Sequence, residues 1–444
     1  MNRRHLLISP YFPPASRIGA KRALHLCRHL PRYGWNPVIL AAPPYGDHTD
    51  SELAALVPAK TVVSWSFDGG PRRWLDALRK RRAQRENDRQ RNVRQPWRQG
   101  SFFGWNTNFL TPFDRYLGEL PAAVRAGFRL VRRHDLQAIQ VSADPWTGLL
   151  AGLALHRLTG LPLLPDLRDP WSLHFGKMAL RPPWSRECVK RIERHVFRHA
   201  ARIIVNTENA CEAYRQAYYD LLPAERFVAV RNAFDPDVFY PAPFRSPSEF
   251  TVLYFGRFRL FFEPDVLLAG FKRFVERRGL GPDTARFSFV GRLRDSDWEK
   301  IDRLALRPFV DLRGHVAYRH CLQELRAAHV LLLIVEPACR LQNPAKLYDY
   351  LAAGRPVLAV SANREVNRIL ASTGAGESVS HGDPAAMARR LDALYTRFKR
   401  GEALRVDPRG VQPYTAAEQA RAIGAVLDAV TADRPRGEGK RKGA

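Results

Sequence analysis

Residues 343–360 read NPAKLYDYLAAGRPVLAV and bring a cation, a carboxylate and a helix start into one short segment. Asn343 before Pro344 has the form of an N-cap followed by Pro at the first helical position. A helix N-terminus presents unpaired backbone N–H groups and a partial positive charge, and both favour an anion. Lys346 falls in that first turn, where a cation is mildly unfavourable unless an anion meets it. Asp349 lies three residues on and so shares a helix face with Lys346. Leu347, Tyr350 and Leu351 fall on the other side and are expected to bury against a sheet. A diphosphate could sit on Lys346 and the helix start while Asp349 takes both hydroxyls of a ribose, which is chemistry suited to a sugar nucleotide. The same spacing also describes an exposed i, i+3 ion pair worth a few tenths of a kcal/mol. Spacing alone leaves both readings open.

The elements that must position these residues follow an α/β pattern. HLLIS (5–9) ends in the turn-rich PYFPPASRIG, and a helix with Leu24, Cys27 and Leu30 on one face runs to Gly34. PVILAA (37–42) follows, which completes a βαβ unit whose first loop lies at the carboxyl end of a parallel strand. The pattern resumes with LQAIQVS, a helical stretch over 146–160, LPLLPDLRDPW, RIIVNT and RFVAVRN. After the Pro- and Ser-rich PAPFRSPSEF come TVLYFG, RFSFVG, FVDLRG, VLLLIVE and RPVLAV, five short apolar strands separated by helical patterns. The expected organisation is an acceptor-binding Rossmann-like domain over 1–240 with a basic insertion at about 70–105, and a linker at 241–250. A nucleotide-sugar-binding Rossmann-like domain over 251–411, a terminal helix over 412–434 and a disordered basic tail over 435–444 complete it. Two doubly wound parallel sheets facing each other would place a ligand in the cleft at the strand carboxyl ends.

Composition narrows the partners. Among 444 residues, 71 Lys and Arg oppose 44 Asp and Glu, leaving a formal charge of +27 that favours anionic partners. Neither finger spacing nor an aromatic RNP pattern is present, so nucleic acid is not expected among them. The five cysteines are scattered without a C-x-x-C pair, which gives no disulfide framework or metal-ligand spacing and points to a reducing compartment. The N-terminal apolar run is too short for a signal peptide, and no stretch approaches the roughly 18 apolar residues of a membrane span. The expected location is cytoplasmic, with peripheral attachment to the inner membrane face. The insertion at 70–105 reads either as a solvated helix or as a docking surface for an anionic membrane or charged acceptor. No D-x-D motif stands at a strand end, and neither metal nor cofactor is expected.

The quoted segment resembles the nucleotide-binding stretch of the retaining GT-B glycosyltransferases of family 4, in the branch with a P-x-K-x-x-E/D-Y form. Four further segments agree in order: the FPP…G…R opening, VSADPW…DLRDPW, VRNAFDPDVF and VLYFGR. The resemblance spans about residues 6 to 430. It implies that Arg257 after Gly256 binds the donor diphosphate, that Lys346 neutralises the same group, and that Asp349 holds the ribose in place of the usual Glu. Asn343 belongs to the same donor site, and Gly19 lets the first loop approach the donor phosphate with Arg22 in support. There are departures. Leu341 replaces a family Glu, Glu336 is the nearest carboxylate, Ala233 replaces a Gly, and Arg259 alone stands where a second phosphate-binding Lys is usual.

What the resemblance implies about mechanism is metal-free. Charge building on the β-phosphate oxygen is met by fixed cations and helix N–H groups, with attack on the face of departure and no covalent nucleophile. For the acceptor proton the candidates are Asp144 and Asp169, each opening a DPW tripeptide just past a strand. Asp before Pro is also a common turn starter, and Asp166 and Arg168 could pair with each other. His174 and His315 are further candidates, more simply read as structural. The implied partners are a nucleoside-diphosphate sugar and a saccharide or lipid-linked acceptor. A sugar-nucleotide 2-epimerase of the same fold, a nucleic-acid-binding protein and an inactive relative are the alternatives.

Overall fold

The structure is a computed structural model that describes residues 3–43, 49–65, 114, 116–239, 246–257, 264–314, 316, 318–402, 404–406 and 408–432. The insertion at 70–105, residues 241–245 of the linker, Arg259, His315 and the basic tail lie outside the described residues, as does the side chain of Arg257.

The chain divides into two units. In the first, β1 (Arg3–Ile8), β2 (Trp35–Ala41), β3 (Val62–Trp65), β4 (Ile139–Ala143), β5 (Leu163–Leu167), β6 (Ile203–Val205) and β7 (Phe227–Ala229) form one parallel sheet. Its order is β3-β2-β1-β4-β5-β6-β7, so the strand order reverses between β1 and β4. The second unit holds β8 (Phe250–Arg257), β9 (Ala285–Arg292), β10 (Val310–Gly314), β11 (Val330–Ile334), β12 (Val357–Val360) and β13 (Gly376–Val379). These strands are parallel in the order β10-β9-β8-β11-β12-β13, which reverses between β8 and β11. Each reversal is a switch point of a doubly wound sheet, where the loops at strand carboxyl ends diverge and leave room for a ligand.

The continuous apolar runs are explained by burial on both faces. In the second sheet, Val252, Tyr254, Leu332, Ile334, Leu358 and Val360 face one core, which is closed by the helices Asp265–Arg278 and Pro384–Lys399. Their neighbours Leu253, Leu331, Leu333, Val357 and Ala359 face the other core with Leu347, Tyr350 and Leu351. Alternation of period two thus sorts one hydrophobic strand onto two helix layers. Among the described residues, no helix is long and apolar enough to cross a membrane.

Three expectations are corrected. The sheets gain β3 and β13, four-residue edge strands that pair on one side only and are too short to stand out in sequence. The break between units falls at Arg231/Asn232 instead of residue 240. Phe234 is already tied to the second unit, donating its N–H to Tyr414 O at 3.1 Å and accepting from Ala416 N at 2.7 Å. The chain from Gln419 onward returns to the first unit. There Ala420, Ile423 and Leu427, an i, i+3, i+7 stripe, join the core of Leu30, Trp35 and Ile39, and Trp35 Nε1 donates to Asp428 Oδ1 at 2.8 Å.

Candidate donor and acceptor sites

At the carboxyl end of β8 the backbone is met by side chains of the helix Lys346–Ala353. Lys346 Nζ donates to Phe255 O at 2.7 Å and to Tyr254 Oη at 3.0 Å, and lies 4.2 Å from the Tyr254 ring centroid. Tyr350, fully buried, accepts from Phe255 N at 3.1 Å and donates to Leu332 O at 3.1 Å, so it clips β8 to β11 at the switch point. Gly256 follows with φ +115°, and a Cβ there would stand 3.2 Å from Lys346 Nζ. The backbone conformation favours glycine here, and a side chain would also crowd the ammonium beside it. Burial raises the Tyr350 phenol well above its ordinary value, so it remains a neutral clip.

The helix itself departs from expectation. It starts at Lys346 with Ala345 as N-cap and no side-chain capping bond, so Asn343 is not the cap. Its residues from Leu347 to Ala353 are all buried, Asp349 included at 6% exposure. That burial excludes the exposed ion-pair reading of Lys346 and Asp349. Asn343 is 5% exposed, and neither polar atom of its amide has a hydrogen-bond partner. Three other buried atoms share that condition on the segments following β11, β12 and β13: Glu336 Oε1, Asn367 Oδ1 and His381 Nε2. An unsatisfied buried polar group costs about 1–3 kcal/mol, so these groups, three on loops and Asn367 in the helix Arg364–Ser372, form a set suited to a polar ligand. Burial also lowers the His381 imidazole below its ordinary value. Asn363 holds this region in shape. Its Oδ1 accepts from Glu365 N and Val366 N, while Nδ2 donates to Cys339 O at 2.9 Å and Gln342 O at 3.0 Å. The loop carrying Leu341 is thereby pinned to the helix Arg364–Ser372. Sequence reading missed Tyr350, Asn363, Asn367 and His381 in these roles, because ordinary types carry no spacing signal.

In the first unit the two DPW tripeptides end neighbouring strands, β4 and β5. Their doubling has a physical cause: the Trp146 and Trp171 rings stack with centroids 4.7 Å apart and planes 5° from parallel. The aspartates of both tripeptides then share one cation, with Lys177 Nζ 3.3 Å from Asp144 Oδ2 and 3.3 Å from Asp169 Oδ2. Burial opposes the charge on Lys177, but the two carboxylates outweigh it and hold the ammonium above its ordinary value. His174 accepts from Lys177 N at 3.2 Å and caps the helix Phe175–Ala179. Burial and the neighbouring Lys177 depress its imidazole. The chain after Asp169 is anchored by Glu193, fully buried, which accepts from Ser172 N at 2.9 Å, Tyr218 Oη at 2.7 Å and Tyr214 Oη at 3.1 Å. Burial pushes the Glu193 carboxyl above its usual range.

The expected pairing of Asp166 with Arg168 is not found. Asp166 receives two parallel bonds from Arg22, at 2.9 and 2.8 Å, and one from Gln140 at 2.8 Å. Arg22 also donates to Val230 O and Arg231 O, both at 3.1 Å, so at 3% exposure it ties β5 to the end of β7. Its guanidinium is thus a buried brace on Asp166 and the chain after β7. Arg168 turns instead to Asp144, bonding its carbonyl oxygen and, at 3.2 Å, its Oδ1. Gly19 admits that guanidinium, since a Cβ at residue 19 would overlap it. The absent side chain of Gly19 is filled by Arg168, placed 5.7 Å from the Tyr11 ring centroid.

Comparison with known proteins agrees with this architecture. A glycosyl transferase 4-like domain matches residues 19–233, and a glycosyl transferases group 1 domain matches residues 249–397. No curated protein matches the chain. Among solved structures, sucrose-phosphate synthase from Thermosynechococcus elongatus is 15% identical with TM-score 0.57, covering 97% of this chain and 96% of its own. Anabaena HepE in complex with UDP-glucose is 15% identical with TM-score 0.55, covering 97% of each chain. A putative UDP-N-acetylglucosamine 2-epimerase from Listeria monocytogenes is 12% identical with TM-score 0.59, covering 99% of each. At such identities these structures establish the fold. With both domain models matched in sequence order, the chain belongs to the GT-B glycosyltransferases of the family 4-like type and is a hexosyltransferase.

Proposed function

We propose that the protein transfers a hexosyl group, with retention of anomeric configuration, from a nucleoside-diphosphate sugar to a saccharide or lipid-linked acceptor. The observation that carries this reading is Lys346 Nζ, held by Phe255 O and Tyr254 Oη beside Gly256 at the switch point of the second sheet. In this assignment Lys346 and Arg257 meet the donor diphosphate, Asn343 donates from the adjoining loop, and Asp349 accepts from the ribose. Departure of the nucleoside diphosphate breaks the bond from the sugar C1 to the β-phosphate oxygen. The acceptor oxygen forms its bond to C1 on the same face. Cations fixed before the reaction lower the barrier because they need not reorganise as charge develops on the leaving oxygen. The acceptor proton goes to Asp169, with Asp144 beside it, and Lys177 keeps both carboxylates in place.

The acceptor is assigned to surface polysaccharide assembly at the cytoplasmic face of an anionic membrane. Support for this comes from the +27 charge, which attracts acidic lipid or an anionic acceptor at the membrane surface. A test is to incubate the protein with a panel of nucleotide hexoses and lipid-linked acceptors, without added metal, and follow the anomeric signals by NMR. Release of nucleoside diphosphate with a retained glycosidic linkage is expected. An inverted product would refute retention. Interconversion at the sugar C2 without transfer would replace the reading with the epimerase alternative.

A further inference from the structure

In the first unit the helices Phe175–Ala179 and Pro183–His199 are joined by a short turn, and the pair carries an apolar tip followed by a basic stripe. Of the eight large apolar side chains exposed among the described residues, three fall on this turn and its flanks: Phe175 at 69%, Leu180 at 41% and Trp184 at 55% exposure. We propose that tip and stripe together are a docking surface for a lipid bilayer bearing anionic headgroups. Docking here rests on the proposed transfer only in that the acceptor is taken to be lipid-linked.

The residues in between enforce the exposure. Met178, Arg181 and Ser185 turn inward, and Arg181 Nη1 donates to Ser185 Oγ at 3.2 Å. Their neighbours Ala179, Leu180, Pro183 and Trp184 are left facing out. Single apolar side chains scattered on a surface are ordinary, whereas a cluster marks an interaction site. Beyond the tip, the second helix buries Ser185, Val189, Glu193, Val196 and Phe197. Trp184, Arg191, Arg194 and Arg198 recur at i, i+7, i+10 and i+14 and so share the opposite face. Arg186 and Lys190 are exposed at its flank. Glu187 is the one exposed acid of this helix, and Arg191 neutralises it at 3.1 Å. Arg186, Lys190, Arg194 and Arg198 have no carboxylate partner among the described residues, so four positive charges stand uncompensated.

The distribution of charge selects the partner. The helix runs 17 residues, about 25 Å in length. Charge spread along it suits a plane of headgroups, each arginine being worth about fivefold in partitioning. Phe175 and Trp184 at its head supply aromatic rings of the kind that settle at the boundary between headgroups and acyl chains. The placement also fits the use. Lys177, which bridges Asp144 and Asp169, sits two residues from Phe175 on the same short helix. A bilayer met by the tip therefore lies beside the carboxylates assigned to the acceptor, where a lipid-linked sugar has to arrive.

The test uses the full chain and vesicles of phosphatidylcholine, with and without phosphatidylglycerol, followed by flotation at two salt concentrations. Binding is expected only with the anionic lipid, and it should weaken as salt rises. Phe175→Ser combined with Trp184→Ser is expected to weaken it at least about tenfold. Arg194→Gln combined with Arg198→Gln should cost about 25-fold at the lower salt. Leu312→Ser, in the second unit and as exposed as Leu180, should leave binding unchanged. No binding to anionic vesicles overturns the proposal, as does equal loss in Leu312→Ser. Binding that either paired variant retains in full would assign the attraction to the +27 charge as a whole and also overturn it. So would sedimentation without lipid in which the unmodified chain is a dimer and the Phe175 and Trp184 variant a monomer, since the tip would then belong to a second copy. With a water-soluble acceptor that variant should transfer at the unmodified rate, while transfer to a vesicle-embedded acceptor falls. An unmodified protein that binds anionic vesicles through this tip yet transfers no sugar would refute the transfer reading and leave the docking surface standing.

Discussion

Replacing Lys346 by Met keeps most of the side-chain length and removes the ammonium. In the structure that ammonium is 2.7 Å from Phe255 O and 3.0 Å from Tyr254 Oη, with Tyr254 itself only 2% exposed. The fold loses one bond to a buried hydroxyl and one to a carbonyl at a strand end, a cost of about 1–2 kcal/mol. Donor binding loses a charge-assisted bond to the diphosphate, about 1.5–3 kcal/mol, or roughly 10- to 150-fold in Kd. Tyr254→Phe removes one anchor of Nζ and leaves the charge, so its effect on Kd should be only about threefold. Calorimetric titration with nucleoside diphosphates at two salt concentrations separates these outcomes. The Met variant should show both weaker binding and a shallower salt dependence, because one fixed charge is gone. A folded Lys346→Met protein that binds every nucleoside diphosphate like the wild type, with the same salt dependence, would remove Lys346 from the donor site.

Three further outcomes follow from other parts of the molecule. Tyr350→Phe leaves Phe255 N without the phenol oxygen it donates to and should cost about 1–3 kcal/mol in denaturant titration. Lys177→Met should slow transfer at least about tenfold, since Asp144 and Asp169 lose the cation that positions them. The Lys177 pKa is raised in the fold, so its stabilisation is present below its unfolded value and lost as pH climbs through the folded one. The difference in Tm between wild type and Lys177→Met should therefore shrink above about pH 10.5. His5 and His329 have the opposite sign: burial lowers each to about 4, so below about pH 6.5 the unfolded chain binds protons that the folded chain refuses. Stability should fall between pH 6.5 and 4 by up to about 1.4 kcal/mol per pH unit for each histidine, read as an acid shift in Tm that His5→Gln reduces.

Much of the fold was legible because its strands are short apolar runs buried on both faces. HLLIS, PVILAA, TVLYFG and VLLLIVE fall on β1, β2, β8 and β11 within a few residues. The polar edge strand GESV has no such run, since its pairing with β12 rather than its own hydrophobicity holds it. The terminal helix was legible as a helix and not as a part of the first unit, because an apolar stripe does not say which core will cover it. At the proposed donor side, Lys346 and Asp349 stood out through charge and spacing, and Gly256 entered through the resemblance of VLYFGR. Asn343 was singled out as a cap, yet the helix begins two residues beyond the expected position and its amide is left unpartnered.

By itself the sequence determined the α/β class, the chemistry-bearing residues of the NPAKLYDYLAAG segment and the pair of DPW tripeptides. These are local properties, set by hydrophobic period, residue type and spacing along a few turns of chain. Only the tertiary structure decided who meets whom. It gave Asp166 to Arg22 across 144 residues, left Arg168 to Asp144, and stacked Trp146 on Trp171 so that Lys177 bridges both aspartates. It also converted an apparent surface pair, Lys346 and Asp349, into an ammonium parked on β8 and a buried carboxylate. The reason is physical: a charged side chain takes whichever partner best offsets its desolvation, and that partner is brought near by the sheet, not by the sequence neighbourhood.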